Sequence, residues 1–439
     1  MFLLPYRKGA IALKYCRTEL LPGVRLTAIQ TSKFKSGYWG VYVLTPMGPE
    51  AAANALVPRV LRRGTRRHPG VRPLSEALDE LYGGTIEAAV RKRGEVQCVG
   101  FAASFLDGAL APGGEDLLSA AAGLLGELLL DPALENGAFR PDWLEGERTN
   151  LIDQIKGEIN DKRFYAQKRA IELMCEGEGY GLDAKGTIEG AEAVTPDSLY
   201  DRYETLLSSA PVELYYCGSA RPERVAEAWT AALSRLPQGS RSQTLPDRSH
   251  RPSQEVRRQS ERLDVTQGKL VLGFSGGGVS LTHPDYPSFL TLNALYGGTT
   301  TSKLFLNVRE KRSLCYYASS MVDKLKGLML VSSGVEFEQF QAAEDEILAQ
   351  LEACRQGDFT EEELTAAKKS LISGLRSTLD VQWQLEDFWL TQNVGETGEE
   401  PEALAGRIEQ VSAQDVAEQA KRMQLELIYR MEGTEHGAA

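Results

Sequence analysis

Apolar runs broken by polar and turn-forming residues divide the chain into strand-length and helix-length pieces. Val24–Ala28 and Tyr38–Thr45 read as strands, the second closed by a Pro46-Met47-Gly48-Pro49 turn. Helical periodicity follows over Ala51–Arg63 and Leu74–Leu81, and Thr85–Arg91 with Val96–Phe105 reads as a hairpin. Helices recur at Glu115–Leu130 and, longer, at Pro141–Cys175. Thr195-Pro196-Asp197 provides a cap residue followed by a first-turn proline, and the strand Val212–Cys217 closes this half.

Residues 239–262 break the pattern, being rich in Ser, Arg, Pro and Gln with almost no apolar periodicity. They read as an exposed linker. The alternative for their basic cluster (Arg248, Arg251, Arg257, Arg258, Arg262) is a docking patch. Beyond it the order repeats. Leu270–Phe274 is a strand, Pro287–Leu295 and Leu304–Arg309 are helical, and Cys315–Val322 pairs with Gly327–Gly334. Phe340, Ala343, Ile347, Leu351 and Cys354 stripe one helix face, and Thr360 with Glu363 makes a capping box for the next helix. Val194-Thr195 leads through a helix to Val212–Ser219 as Val411-Ser412 leads to Leu425–Gly433, an offset of 217 residues. The pattern predicts one α+β unit used twice, each a mostly antiparallel sheet with helices. Its domains are 1–238 and 263–439, joined by the linker.

A chain of 439 residues accommodates two or three domains at roughly 150 residues each. Its 49 Lys+Arg against 61 Asp+Glu leave a net charge of −12, which argues against nucleic acid or an anionic membrane as the main partner. The opening MFLLPYRKGAIALKY lacks the pattern of a secretory leader, and no run of about 18 apolar residues suggests a membrane span. The six cysteines are far apart and form no C-x-x-C pair, so they read as buried reduced thiols of a cytoplasmic protein. Only His68, His250, His283 and His436 are present, no two close together, which argues against a zinc site built within this chain.

Three segments suggest chemistry. Gly273-Phe274-Ser275-Gly276-Gly277 matches the G-x-S-x-G nucleophile elbow, but Gly278-Val279-Ser280 cannot start the required helix promptly, so a mobile glycine loop is the better reading. Gly297-Gly298 lies between two helices, as a plain turn or as a hinge admitting an extended peptide. Arg309 ends a helix, where its charge suits the helix dipole, and Tyr316 opens the next strand. The alternative is that both face a cleft and donate to a carbonyl oxygen.

These residues resemble the insulinase/pitrilysin/mitochondrial processing peptidase family. LGFSG followed by HPDYPSFLTLNALYGGTTTSKLFLNVREKRSLCYYASS is similar to its second half, and Gly64-Thr65 through Gly83-Gly84-Thr85-Ile86-Glu87-Ala88 to its first. The family binds zinc through H-x-x-E-H and a distant Glu, the middle Glu activating the bound water. The resemblance puts Ala55, Pro58 and Arg59 at the motif positions and Gln154 near the distant one, implying no zinc in this chain. It matches Arg309 and Tyr316 to the family's Arg/Tyr pair, and implies that Gly297, Gly298, Gly276 and Gly277 line a peptide chamber. It further implies a heterodimer with a homologous zinc-binding subunit and a peptide substrate. ENGAF (Glu135–Phe139) and INDKRFYAQKRAIELMC (Ile159–Cys175) resemble the YfmF-like branch, named for aminopentanol modification of elongation factor P. The alternatives are an inert scaffold with a peptidase fold, or a serine hydrolase at Ser275.

Overall fold

The computed structural model describes residues 13–239, 241 and 250–434; Arg248 and His436 lie outside them. In chain order the strands are β1 (Lys14–Leu21), β2 (Val24–Gln30), β3 (Ser36–Pro46), β4 (Thr85–Arg93), β5 (Val96–Leu106), β6 (Leu134–Glu135), β7 (Ala138–Phe139), β8 (Val212–Gly218), β9 (Arg257–Leu263), β10 (Gly268–Ser275), β11 (Tyr317–Asp323), β12 (Leu328–Val335) and β13 (Gln424–Gly433). The helices begin with α1 (Ala51–Leu61), α2 (Val71–Glu80), α3 (Leu117–Leu130), α4 (Pro141–Gly157), α5 (Lys162–Met174), α6 (Ile188–Glu192), α7 (Pro196–Ser209) and α8 (Pro222–Ala232). They continue with α9 (Tyr286–Asn293), α10 (Phe340–Gln356), α11 (Glu361–Thr378), α12 (Gln382–Gly395), α13 (Pro401–Gln410) and α14 (Ala413–Arg422).

Two compact units form. The first comprises Met1–Lys156, Leu182–Pro246 and Gln382–Leu390; the second comprises Gly157–Gly181, Asp247–Val381 and Thr391–Ala439. Compared with a division at 239–262, two segments are exchanged, each unit taking a helix-bearing piece from the other stretch of chain. The first sheet runs β1-β2-β8-β3-β5-β4 and the second β11-β12-β10-β13-β9. Read from the parallel pair, β2-β8-β3-β5-β4 and β9-β13-β10-β12-β11 are the same arrangement. Only β2/β8 and β9/β13 are parallel, and the other neighbours are antiparallel. Thr195 and Ser412, 217 residues apart, both form capping boxes on the helix preceding the sheet's returning strand. The expected α+β fold used twice is therefore present.

Three departures have local causes. The helix expected over Pro141–Cys175 breaks after Gly157, because the Asp161 carboxylate accepts from the Phe164 N–H and caps a new helix, α5. β1 carries no clear strand signal, because KYCRTELL neither alternates apolar and polar residues nor forms an apolar run, and its edge position leaves it partly exposed. The last residues of the expected linker form β9, an edge strand held by its backbone ladder to β13 rather than by an apolar stripe. Its arginines are paired rather than presented as a docking patch. Arg258 contacts Glu344 at 2.8 Å and Arg257 contacts Glu176 at 2.6 Å.

The exchanged segments bury the second face of each sheet. In the second unit, Leu270, Leu272 and Phe274 pack with Phe289, Ile347, Leu364 and Val416. Val271, on the opposite face, packs with Leu427, Tyr429 and Met431 around Ala166 and Ala170 of α5. In the first unit, the Gln382 amide donates to the carbonyls of Ser36 at 2.8 Å and Cys217 at 3.0 Å. Trp389 stacks on Tyr15 with ring centroids 3.9 Å apart. The Glu386 side chain, 1% exposed, accepts from Arg91, whose guanidinium also lies over the Tyr42 ring. Burial raises the Glu386 pKa, opposed by Arg91. Arg91→Met strands this carboxylate and is expected to destabilise the first unit by about 3–5 kcal/mol, with Arg91→Met/Glu386→Leu recovering most of the loss. Urea denaturation of the three proteins checks this.

Candidate functional site

The α1 sequence AAANALVPRVL is apolar on nearly every side, and all of it but Arg59 is buried. Ala55 is fully buried and carries no donor atom. Pro58 lacks the backbone N–H that would reach the Asn54 carbonyl. Arg59 reaches out of the helix, and its Nη2 donates to Gln154 Oε1 on α4 at 2.6 Å. The structure thus brings Arg59 and Gln154 together across 95 residues of sequence. Burial lowers the Arg59 pKa, with the nearby Glu147 carboxylate opposing. One turn on, Arg63 Nε pairs with Glu147 at 2.6 Å.

Arg309 and Tyr316 flank a junction in the second unit. The segment Leu304–Lys311 winds as a π-helix, and a second π-helical turn covers Ala294–Gly298. The wider winding displaces side chains relative to an α-helix, and such turns are common at functional sites. Ser313, at φ +52°, reverses the chain into β11, and Tyr316 N–H donates to the Gly334 carbonyl at 2.8 Å. The Arg309 side chain is 41% exposed, lies over the Phe305 ring with 4.8 Å to its centroid, and contacts Glu310 at 3.3 Å. Tyr316 is 59% exposed, and its O–H donates to the Glu336 carboxylate. That bond and the neighbouring negative charge raise the phenol's pKa.

The two glycine loops are held firmly. Gly297 lets the π-turn press onto β11, since a Cβ there would lie 2.8 Å from Ser320 N and 2.7 Å from Ser320 Oγ. Gly298 is exposed beside it. Gly276 donates to the Gly327 carbonyl at 2.8 Å and accepts from Gln419 Nε2 at 3.0 Å, while Gly277 turns at φ +67°. Ser275 is 5% exposed at the end of β10, and the next helix does not begin until Tyr286. The strand–turn–helix of a nucleophile elbow is not formed. The thiols are poor nucleophiles as well: burial pushes Cys98, Cys217 and Cys354 up to about 12.

The Peptidase M16 inactive domain family matches residues 193–371. A probable inactive metalloprotease of Bacillus subtilis, YmfF, is 31% identical over 416 residues, 94% of this chain and 96% of that protein. The chain belongs to the M16 peptidase family. It falls on the inactive, zinc-less side of that insulinase-like family. A conserved Enterococcus faecalis protein superposes with a TM-score of 0.86 at 24% identity, over 96% of this chain and 99% of the other. The M16 inactive domain of Pseudomonas fluorescens follows with 0.74 at 14%, over 96% and 98%. These two likenesses establish the fold.

The residues present do not fit the family's catalytic zinc. Ala55 cannot ligate, Pro58 cannot act as a base, and the Arg59 guanidinium engages Oε1, the one atom with which Gln154 could ligate. Among the described residues, no helix is long and apolar enough to cross a membrane. Sequence reasoning missed Glu336, the acceptor for Tyr316. Its only signal is the strand pairing, which sets Glu336 two residues past Gly334, the backbone partner of Tyr316. If Glu336 holds the phenol as described, Glu336→Gln lowers the pH at which Tyr316 ionises. Ultraviolet phenolate titration, taken as a difference against Tyr316→Phe, checks this.

Proposed function

We propose that this chain is the zinc-less subunit of a two-chain, cytoplasmic zinc peptidase. The partner is a homologous subunit with intact H-x-x-E-H, which holds the metal and its water. This chain supplies Arg309 and Tyr316 in trans, with Gly297, Gly298, Gly276 and Gly277 lining the chamber for an extended peptide. The observation carrying the reading is the contrast between α1, which has no ligand to offer, and the 304–316 junction, which exposes an anchored phenol and a guanidinium. When bound, the partner's zinc polarises the scissile carbonyl. Tyr316 would move its O–H from Glu336 to the oxygen bearing the developing charge, and Arg309 would hold the substrate's carbonyls. The spread of six cysteines supports a reducing compartment.

A second reading, an inert scaffold or peptide-binding protein, is favoured by one fact. Arg309 and Tyr316 already have local partners in Phe305, Glu310 and Glu336. The two are separated by assaying peptide hydrolysis with this chain alone, with an H-x-x-E-H homologue from the same genome alone, and with both. Only the mixture is expected to be active. Tyr316→Phe should reduce its turnover by roughly 10²–10³-fold without loosening subunit association. Unchanged turnover in Tyr316→Phe and in Arg309→Ala would favour the scaffold.

A further inference from the structure

A group of metal-capable side chains gathers in the second unit, among residues to which the function above gives no role. Cys175 and Glu178 lie in the turn that follows α5, His250 precedes β9, Glu426 sits on β13, and Lys326 lies in the β11–β12 hairpin turn. All five are interior. Cys175 is fully buried, the His250 side chain is 4% exposed, Glu426 2%, and Lys326 0%. His250 Nδ1 lies 2.9 Å from Glu178 Oε1 and 4.0 Å from Cys175 Sγ. Its Nε2 lies 2.8 Å from Glu426 Oε2. Glu178 also accepts from the Arg251 N–H at 3.0 Å and contacts Lys326 Nζ at 2.7 Å. The second oxygen of Glu426, Oε1, is buried without a hydrogen-bond partner.

We infer that Cys175 Sγ, Glu178 Oε1 and His250 Nδ1 form a site for a zinc-class divalent ion, separate from the degenerate positions on α1. The three ligand atoms lie within 4.8 Å of one another. A tetrahedral ion with bonds of about 2.0–2.3 Å spaces its ligands roughly 3.3–3.7 Å apart, so side-chain adjustments of about an ångström close the set. Glu426 completes the design: by accepting from Nε2–H it fixes the tautomer that leaves the Nδ1 lone pair toward the thiol and carboxylate. One sulfur, one imidazole and one carboxylate are the borderline donors that zinc favours over calcium or magnesium. A solvent molecule fills the fourth position.

Lys326 Nζ beside Glu178 offsets part of the cluster's negative charge. A bound dication takes the cysteine as thiolate and the histidine as neutral imidazole, so ligation releases the thiol proton. The histidine count, which argues against a site needing two or three imidazoles, does not reach this one, because it uses a single histidine. The ion would pin the end of the exchanged segment 157–181 to the second unit.

Cobalt(II) titration of the chelator-stripped full-length chain tests this. The expected result is one equivalent bound, a thiolate-to-cobalt charge-transfer band in the near ultraviolet, displacement of that band by zinc, and proton release on binding in weak buffer. Cys175→Ser removes the band, Glu178→Gln weakens uptake, and Glu426→Gln lowers affinity by about 10–100-fold. Zinc should raise the melting temperature of the wild type and of none of the variants to the same extent. The inference is overturned if the folded wild type takes up no cobalt, if uptake shows no thiolate band, or if the band persists in Cys175→Ser. Should Cys175→Ser fail to fold, the Glu178→Gln and Glu426→Gln affinities decide: values unchanged from wild type also overturn it.

Discussion

Both sheets have two faces to bury, and each unit meets that requirement with a helix taken from the other stretch of sequence. β10 shows why this is necessary. Leu270, Leu272 and Phe274 face one layer while Val271 faces the other, and every residue of the strand is buried. A sheet covered on one side only would leave Val271, Leu427, Tyr429 and Met431 in water, at roughly 1.5–3 kcal/mol per large side chain. Ala166 and Ala170 on α5 let the helix come close enough to cover them. The start of α12 does the same for the first sheet, through Trp389 on Tyr15 and the Arg91–Glu386 pair. The Asp161 cap is therefore more than a local helix break. It opens α5, the helix with which the chain, having left the first unit after Lys156, serves the second.

How much of this is legible in the sequence follows from what each element relies on. Elements fixed by local chemistry are readable: the Thr360/Glu363 box, the paired caps at Thr195 and Ser412, and the Thr85–Arg93/Val96–Leu106 hairpin. Elements fixed by tertiary pairing are not. β9 is RRQSERL, a strand only because β13 offers a parallel ladder and Glu344 and Glu176 neutralise its arginines. The π-winding around Gly297 and Arg309 has no residue signature at all, because it depends on how closely the turn presses onto Ser320. The same applies to the candidate site. Arg309 and Tyr316 are found by their spacing, whereas Glu336, which sets the phenol's proton affinity, is reached only through the strand register.

Under the two-chain proposal, the chemistry on α1 and at the 304–316 junction is complementary. Arg59 puts a fixed positive charge near Gln154, where a dication would be repelled, and its Nη2 bond gives that charge a neutral acceptor. The residue that excludes the metal is held through that bond at the cost of a buried Nε without a partner, and α1 remains a core helix. Tyr316 is in the opposite condition. Its O–H rests on an exposed carboxylate, a bond that solvent or substrate can replace at little cost. A buried phenol such as Tyr296, donating to the Ile347 carbonyl inside the core, could not be recruited in this way.

The interior charges follow one rule that also separates the Cys175 cluster from the rest. Glu386 is buried with Arg91, and Glu344 with Arg258 and Arg430. In both, the cations are guanidiniums that keep their protons in water, so each pair serves to hold structure together. The cluster around His250 sets a thiol and an imidazole beside its two carboxylates, donors that suit a divalent ion rather than a guanidinium. Lys326 beside Glu178 offsets part of the negative charge that those carboxylates bring into the interior.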